Sequence, residues 1–455
     1  MTSPISTQQP IDHVLFELLR DSLHGPLLLP GDPGYDAARR VYNPMVDRRP
    51  IAIAQPLDAG DVAAGIRFAV RHGLELTVCG GGHNIAGNAV RDGALMIDLS
   101  RLTRLDVDAD GRVAHVGGGV RLGELIEATE RHGLVTPTGT DSDTGVGGLT
   151  LGGGYGFLYG KHGMAVDQVL GVEIVLADGH TVRADAANHP DLFWAVRGGG
   201  GNFGVVTQFE LRLHELQQTL SGMLVYPFAM AKEVLRYNRV LRGTAPDELT
   251  AYAALSTLPD GQKVVVQVLC WSGEVAAGER FLAPIRAFGP PLADLIRPMP
   301  YAEVNTLLAS PLSVGARQYW KQVLLPDIAD GVIDAVVRAY DRSVSGLSVV
   351  AMTDEHGAGR RVAPDATAFP HRGFASSVAV LSRWFGPEVD ASNIEWTREL
   401  AAALAPFSDG SRYVNEADDE PVATMYRGNL ARLREIKRRY DPDNVFRANQ
   451  NIEPA

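Results

Sequence analysis

The chain has 455 residues, 45% of them hydrophobic and 21% charged, with a net charge of −12. That length accommodates two or three domains of about 150 residues each, with the composition of an ordinary globular protein. The acidic balance, a pI near 5.5, and the lack of a basic, aromatic-interleaved patch argue against nucleic acid or an anionic membrane as partner. No stretch approaches the ~20 apolar residues of a membrane span. The opening "MTSPISTQQPIDHVLFELLRDSL" lacks the positive and apolar regions of a secretory signal, so the cytoplasm is the expected compartment. Two cysteines, Cys79 and Cys270, make neither a disulfide framework nor a cysteine zinc site. The twelve histidines fall at no metal-ligand spacing, and no metal is expected.

In chain order, "DVAAGIRFAVRHG" (61–73) predicts a helix with Val62, Ile66, Ala69 and Val70 on one face and Gly73 as its cap. "LELTV" is a short strand that runs into Gly80, Gly81 and Gly82 just before His83. Residues 94–100 and 112–119 read as strands, the second after a "DADG" turn, and 121–133 as a helix stopped by glycine. A hairpin with Asp178-Gly179 at its turn covers 169–184, and a strand covers 203–215. This α+β unit ends near residue 215. Beyond it "GMLVYPF", "LTAYAALS", "KVVVQVLCW", "LSVVAMT" and "FASSVAVLSRW" are strand-like. "AKEVLRYNRVLRG", "GERFLAPIRAFG" and "NIEWTRELAAALAPF" are helix-like. A mainly antiparallel sheet covered by helices is the expectation for 216–410. A C-terminal segment, 411–455, carries a basic amphipathic helix and a "DPDN" turn.

Glycine is unevenly spread: its 49 residues crowd into 80–87, 117–123, 139–163 and 198–204. Successive N–H groups without side chains make an anion cradle, so the first half is built for close backbone approach to a ligand. "GGGNFG" (199–204) satisfies G-x-G-x-x-G, yet it precedes a strand. A dinucleotide fingerprint must open a helix, so the match has the wrong context.

Three stretches together resemble the berberine-bridge-enzyme-like family of FAD-linked oxidoreductases, part of the vanillyl-alcohol-oxidase superfamily with its PCMH-type FAD-binding domain. They are "VCGGGHNIAG", then "TGTDSDTGVGGLTLGGGYGFLYGKHGMAVDQV" with "DLFWAVRGGGGNFGVVTQFE", and finally "YVNEAD" with "YDPDNVFRANQNI". The resemblance covers nearly the whole chain. It implies an FAD-binding domain of two α/β subdomains over 1–215 (core about 46–215), a substrate domain over 216–410, and a segment, 411–455, that returns to the cofactor.

By that resemblance the glycine loop wraps the FAD pyrophosphate and His83 bonds covalently to the flavin 8-methyl carbon. The implied cofactor contacts are Cys79, Gly80, Gly81, Gly82 and Asn84 around His83, then Gly139, Thr140, Gly147, Gly148, Gly153 and Gly154. Gly201, Asn202 and Val206, with Asn415, Asn449 and Gln450, complete them. Cys79 stands where relatives often carry arginine. Asp141 stands where many relatives have a second flavin-linking cysteine, so the resemblance implies a single, histidyl-linked FAD of the bacterial type. Thr144 matches the position that tunes dioxygen access, which favours an oxidase.

Tyr413, from "YxN", matches the family's catalytic tyrosine, and Tyr155 matches a family tyrosine that faces it across the pocket. A free tyrosine has a pKa of about 10, so a phenolate must be stabilised for it to act as a base. Glu416 and Asp418 fall past Tyr413 in a polar turn where solvated roles are expected. By the same resemblance the substrate-facing positions are Ser377 and Ala379; Tyr319, Trp320 and Lys321 are further candidates for the lining, with core packing the favoured reading of the two aromatics. Because Ser377 and Ala379 are small, a bulky secondary metabolite is admitted as well as a sugar.

The leading expectation is an oxidase that takes a hydride from an alcohol or amine carbon and gives hydrogen peroxide from dioxygen. The alternatives are a dehydrogenase using another acceptor, and a non-catalytic flavin- or metabolite-binding protein. Neither substrate identity nor oligomeric state is legible.

Overall fold

The computed structural model describes residues 13–308, 313–417 and 420–455. Its first sheet has the order β1-β2-β4-β3, from β1 (Leu27–Leu28), β2 (Ala52–Ala54), β3 (Leu76–Cys79) and β4 (Leu95–Asp98). Strand β4 pairs in parallel with both β2 and β3. Parallel strands need a crossover, and the helix Ala59–His72 supplies it. The Asp58 carboxylate caps that helix by accepting the Asp61 N–H, and Gly73 ends it at φ 63°, a left-handed turn that glycine adopts without steric cost. Val62, Ile66 and Ala69 are buried as expected, but Val70 is 48% exposed. At 3.6 residues per turn Val70 lies about 80° around from Val62, at the rim of the apolar stripe.

A five-stranded antiparallel sheet follows, in the order β5-β6-β10-β8-β9. It contains β5 (Leu105–Asp108), β6 (Val113–Gly117), β8 (Val169–Val175), β9 (Thr181–Asp185) and β10 (Val205–Arg212). The expected single strand over 203–215 divides, because β11 (His214–Glu215) leaves to pair with β7 (Leu134–Val135).

The third sheet has eight strands, ordered β15-β12-β14-β13-β18-β19-β17 with β16 beside β12. In chain order these are β12 (Thr219–Pro227), β13 (Leu249–Thr257), β14 (Lys263–Trp271), β15 (Ala293–Asp294), β16 (Arg297–Met299), β17 (Arg317–Leu325), β18 (Val349–Asp354) and β19 (Ser376–Trp384). Helices Ala231–Thr244, Asp330–Asp341 and Asp390–Leu404 cover one face. Val378 and Val380 point into that helix-covered core with Val332, Val350 and Leu400. Strand alternation therefore sends Ser377, Ala379 and Leu381 to the opposite face.

The C-terminal segment returns to the second sheet, where Val414, Tyr426, Leu433 and Ile452 join its core. Buried Lys437 donates to Asp441 Oδ2 at 2.6 Å, to the Asn202 carbonyl at 2.7 Å and to the Phe446 carbonyl at 2.9 Å. All three ammonium protons are engaged, as a charge out of water requires. This ties the C-terminal segment to the "GGGNFG" turn. Among the described residues no helix is long and apolar enough to cross a membrane. The fold is α+β, with a mainly antiparallel sheet under helices.

Candidate active site

A cavity of about 850 Å³ joins the glycine clusters to the face of the large sheet opposite those three helices. Gly80, Gly81, Gly82, His83 and Asn84 line it, as do Gly139, Thr140, Thr144, Gly147 and Gly148. Gly201, Asn202 and Val206 add a third side, and Tyr413, Asn415, Asn449 and Gln450 a fourth. Some of these glycines are required by the protein's own packing. A Cβ on Gly81 would stand 2.5 Å from the Gly145 nitrogen, which brings the two loops into backbone contact. Gly148 differs: a Cβ there would meet nothing within 4 Å. Protein packing therefore does not demand glycine at that wall position.

The His83 ring is fixed by stacking on Tyr42, with centroids 3.8 Å apart and planes 19° from parallel. Its Nε2 lies 3.4 Å from Asp141 Oδ2, yet it is buried without a hydrogen bond of acceptable geometry. Burial pushes the Asp141 carboxyl upward, but His83, the Asp143 N–H and Arg383 outweigh it and hold it below the usual range. Asn449 Oδ1 and Trp320 Nε1 are also buried and unpartnered on this wall. Orphaned polar atoms along a glycine-lined cavity fit a polar cofactor such as FAD.

Farther in, Tyr155 and Tyr413 face each other with ring centroids 5.1 Å apart. The Tyr413 hydroxyl accepts from the Gly154 N–H at 2.7 Å and from Asn415 Nδ2 at 2.8 Å. Asn84 Nδ2 reaches the Asn415 carbonyl at 3.3 Å, which links the His83 loop to the "YVN" turn. Burial raises the Tyr413 pKa, against the lowering by Gly154, and Glu416 raises it further. Burial likewise pushes Tyr155 well up, with Glu416 and Glu355 adding to it. Gln322 Nε2 donates to the Tyr155 hydroxyl and, at 3.2 Å, to Ser377 Oγ.

Several expected positions lie elsewhere. Gly153 and Gly154 sit behind the tyrosines: a Cβ on Gly153 would crowd Met164 and Tyr413. Cys79 points away into a small core with Tyr35, Ile53 and Met96, and burial pushes its thiol up to about 12. Ala379 and Trp320 reach the cavity, whereas Ser377 lies one layer back, bonded to Thr353 Oγ1 at 2.8 Å. Tyr319 pairs opposite Ser382, on the face turned to the helices, where Arg398 Nε donates to its hydroxyl at 3.1 Å. Lys321 pairs with Glu420 at 2.8 Å.

Glu416 is a correction. Expected in a solvated role, Glu416 lines the cavity, where burial raises its carboxyl pKa against the pull of His83. Asp418 lies outside the described residues. Sequence reasoning also passed over Tyr42, Gln322 and Glu355. Glu355 is buried and pushed up to about 7 by burial, among Tyr155, Tyr159, Tyr252 and Tyr413. Away from the cavity, His24, Asp58 and Asp61 gather within ligand distance of one another. Asp61 already accepts the N–H groups of His24, Gly25 and Leu57, so this cluster is a chain-fastening cap.

Residues 50–185 match the FAD binding domain family and residues 412–453 the "Berberine and berberine like" family. The chain is 33% identical to (R)-6-hydroxynicotine oxidase of Paenarthrobacter nicotinovorans over 450 residues, covering 95% of this chain and 97% of that one. It is 30% identical to glucooligosaccharide oxidase of Sarocladium strictum, over 92% of this chain and 91% of that one. The crystal structure of 6-hydroxy-D-nicotine oxidase from Arthrobacter nicotinovorans superposes with a TM-score of 0.86 at 31% identity, covering 95% and 99% of the two chains. With the matching architecture and glycine-walled cavity, these similarities establish that the chain belongs to the berberine-bridge-enzyme-like family of FAD-linked oxidoreductases.

Proposed function

We propose that the protein is an oxidase of a small-molecule alcohol or amine, with FAD attached through His83 alone. The observation that carries this reading is the continuity of one cavity, from the glycine walls past His83 to the Tyr155–Tyr413 pair and onto the large sheet. Residues 1–215 and 411–455 hold the cofactor, and 216–410 present the substrate. When bound, FAD supplies the acceptor for a substrate hydride and the route of its electrons to dioxygen, which yields hydrogen peroxide. Two of the relatives are named as oxidases, one of a hydroxynicotine and one of glucooligosaccharides, which supports the oxidase reading.

The protein's own groups have three tasks. Tyr42 stacking holds the His83 ring in one orientation, which prepares it as the attachment point. Gly154 and Asn415 aim two donors at the Tyr413 oxygen, stabilising the phenolate that takes the substrate's O–H or N–H proton. Tyr155, held by Gln322, faces Tyr413 and orients the reacting group. Thr144, on the cavity wall beside Gly145, is small enough to leave dioxygen a path.

Anaerobic titration with a panel of alcohols and amines tests this reading. A substrate should bleach the flavin band, and admission of air should restore it with one peroxide per substrate oxidised. Bleaching reversed only by a dye acceptor would make the protein a dehydrogenase; no bleaching across the panel would contradict the catalytic reading.

A further inference from the structure

Asp141 stands on the loop that leads into helix Val146–Gly152, facing the His83 turn. Its two carboxylate oxygens are divided. Oδ1 accepts the Asp143 N–H at 3.0 Å, which fastens the loop. Oδ2 is left over and lies 3.4 Å from His83 Nε2. Among the described residues no hydrogen bond reaches that buried nitrogen. Tyr42 stacks on the imidazole with centroids 3.8 Å apart, and its own backbone N–H donates to the Gly82 carbonyl at 2.9 Å. The ring is therefore clamped on one face by Tyr42 and met at one edge by a carboxylate. Arg383 of β19 lies over Trp320, its guanidinium carbon 5.2 Å from the ring centroid, and shares this wall of the cavity. Burial disfavours charge on Asp141, yet His83, the Asp143 N–H and Arg383 keep it ionised.

A carboxylate that faces one imidazole nitrogen has two effects. It holds the ring proton on that nitrogen, so the other nitrogen keeps its lone pair. It also stabilises the positive charge that the ring gains when that lone pair forms a bond. Here Nε2 faces Asp141, which leaves Nδ1 as the nucleophile. Fastening the loop needs Oδ1 alone, so the placement of Oδ2 is spare for this task.

We infer that Asp141 is the positioning residue for the protein's own modification, preparing His83 to attach FAD without a second enzyme. The inference rests on the reading that His83 carries FAD, and adds how the bond is made. In the attachment one C–H bond of the flavin 8-methyl group breaks and a C–Nδ1 bond forms. The electron pair of the broken bond passes to the isoalloxazine, and the Nε2 proton leaves toward Asp141. Dioxygen then takes the pair, with the methyl and imidazole protons, as hydrogen peroxide.

Full-length protein made by cell-free synthesis depleted of flavin, then given FAD in air, tests this role. Acid-stable flavin is followed with time, and FAD binding is measured separately by fluorescence quenching. The parent should attach FAD unaided, and NMR of the flavin peptide should place the bond at Nδ1. Asp141→Asn keeps an acceptor without the charge and should slow attachment about tenfold or more. Asp141→Ala should slow it further, and added formate, a small carboxylate, should speed this variant at least about threefold. Both variants should bind FAD within about threefold of the parent. Attachment by the variants within about threefold of the parent's rate, no response to formate, or a bond at Nε2 would overturn the role. Loss of FAD binding in step with attachment would make Asp141 a cofactor-holding residue and overturn it as well. Failure of the underlying reading would look different: FAD bound reversibly by the parent, with no acid-stable flavin at all.

Discussion

The Gly154 N–H points at the Tyr413 hydroxyl oxygen from 2.7 Å, across 259 residues of chain. Asn415 Nδ2 reaches the same oxygen at 2.8 Å, so two donors stabilise negative charge there. Tyr413→Phe keeps the ring that packs on Phe369 and Tyr155 and removes only the acceptor. Stopped-flow reduction of the flavin should slow by about a hundredfold or more, with FAD content unchanged. A rate within about threefold of the parent would make Tyr413 a packing residue.

Burial raises the Tyr413 pKa and the nearby Glu416 carboxylate adds to the rise. A base that is neutral at rest must lose its proton before it can accept another, so reduction should accelerate as pH climbs through the alkaline range. Glu416→Gln removes a negative charge that disfavours the phenolate, so the rising limb should move toward lower pH. A limb that stays in place or moves upward, followed by stopped flow across pH, would show that Glu416 does not act on Tyr413.

Glu355 has a folded pKa of about 7 against a reference of 4.5, raised by burial and eased by Thr353 and Arg360. An acid with a raised folded pKa binds more protons when folded. Its stabilising effect is therefore complete below about pH 4.5 and is lost as pH rises through 7. Glu355→Gln is neutral throughout and should flatten this slope. Denaturation at pH 5 and pH 8 should show the parent losing up to about 3 kcal/mol more than the variant between the two. Equal losses in both proteins would mean that Glu355 titrates normally.

The glycine walls were legible because glycine is the residue that permits close backbone approach, and at Gly81 the structure shows such an approach, to Gly145 of the neighbouring loop. The tyrosine pair followed from motif resemblance. Strand parity was harder: Tyr319 and Trp320 are neighbours in sequence, and a one-residue difference sends one to the helices and the other to the cavity. "NEADDE" reads as a solvated turn from its composition, and only the fold shows that Glu416 lines the cavity. Tyr42 carries no periodic or motif signal at all. It matters through one stacking contact made across 41 residues of chain.

The central claim is that His83 carries FAD and carries it alone. Acid-precipitated protein should stay yellow, and peptide mass spectrometry should find the His83 peptide heavier by one FAD. The peptides of Cys79 and Cys270 should be unmodified, since burial pushes both thiols up to about 12 and leaves them poor nucleophiles. Flavin released into the supernatant, with the His83 peptide at its unmodified mass, would contradict the account.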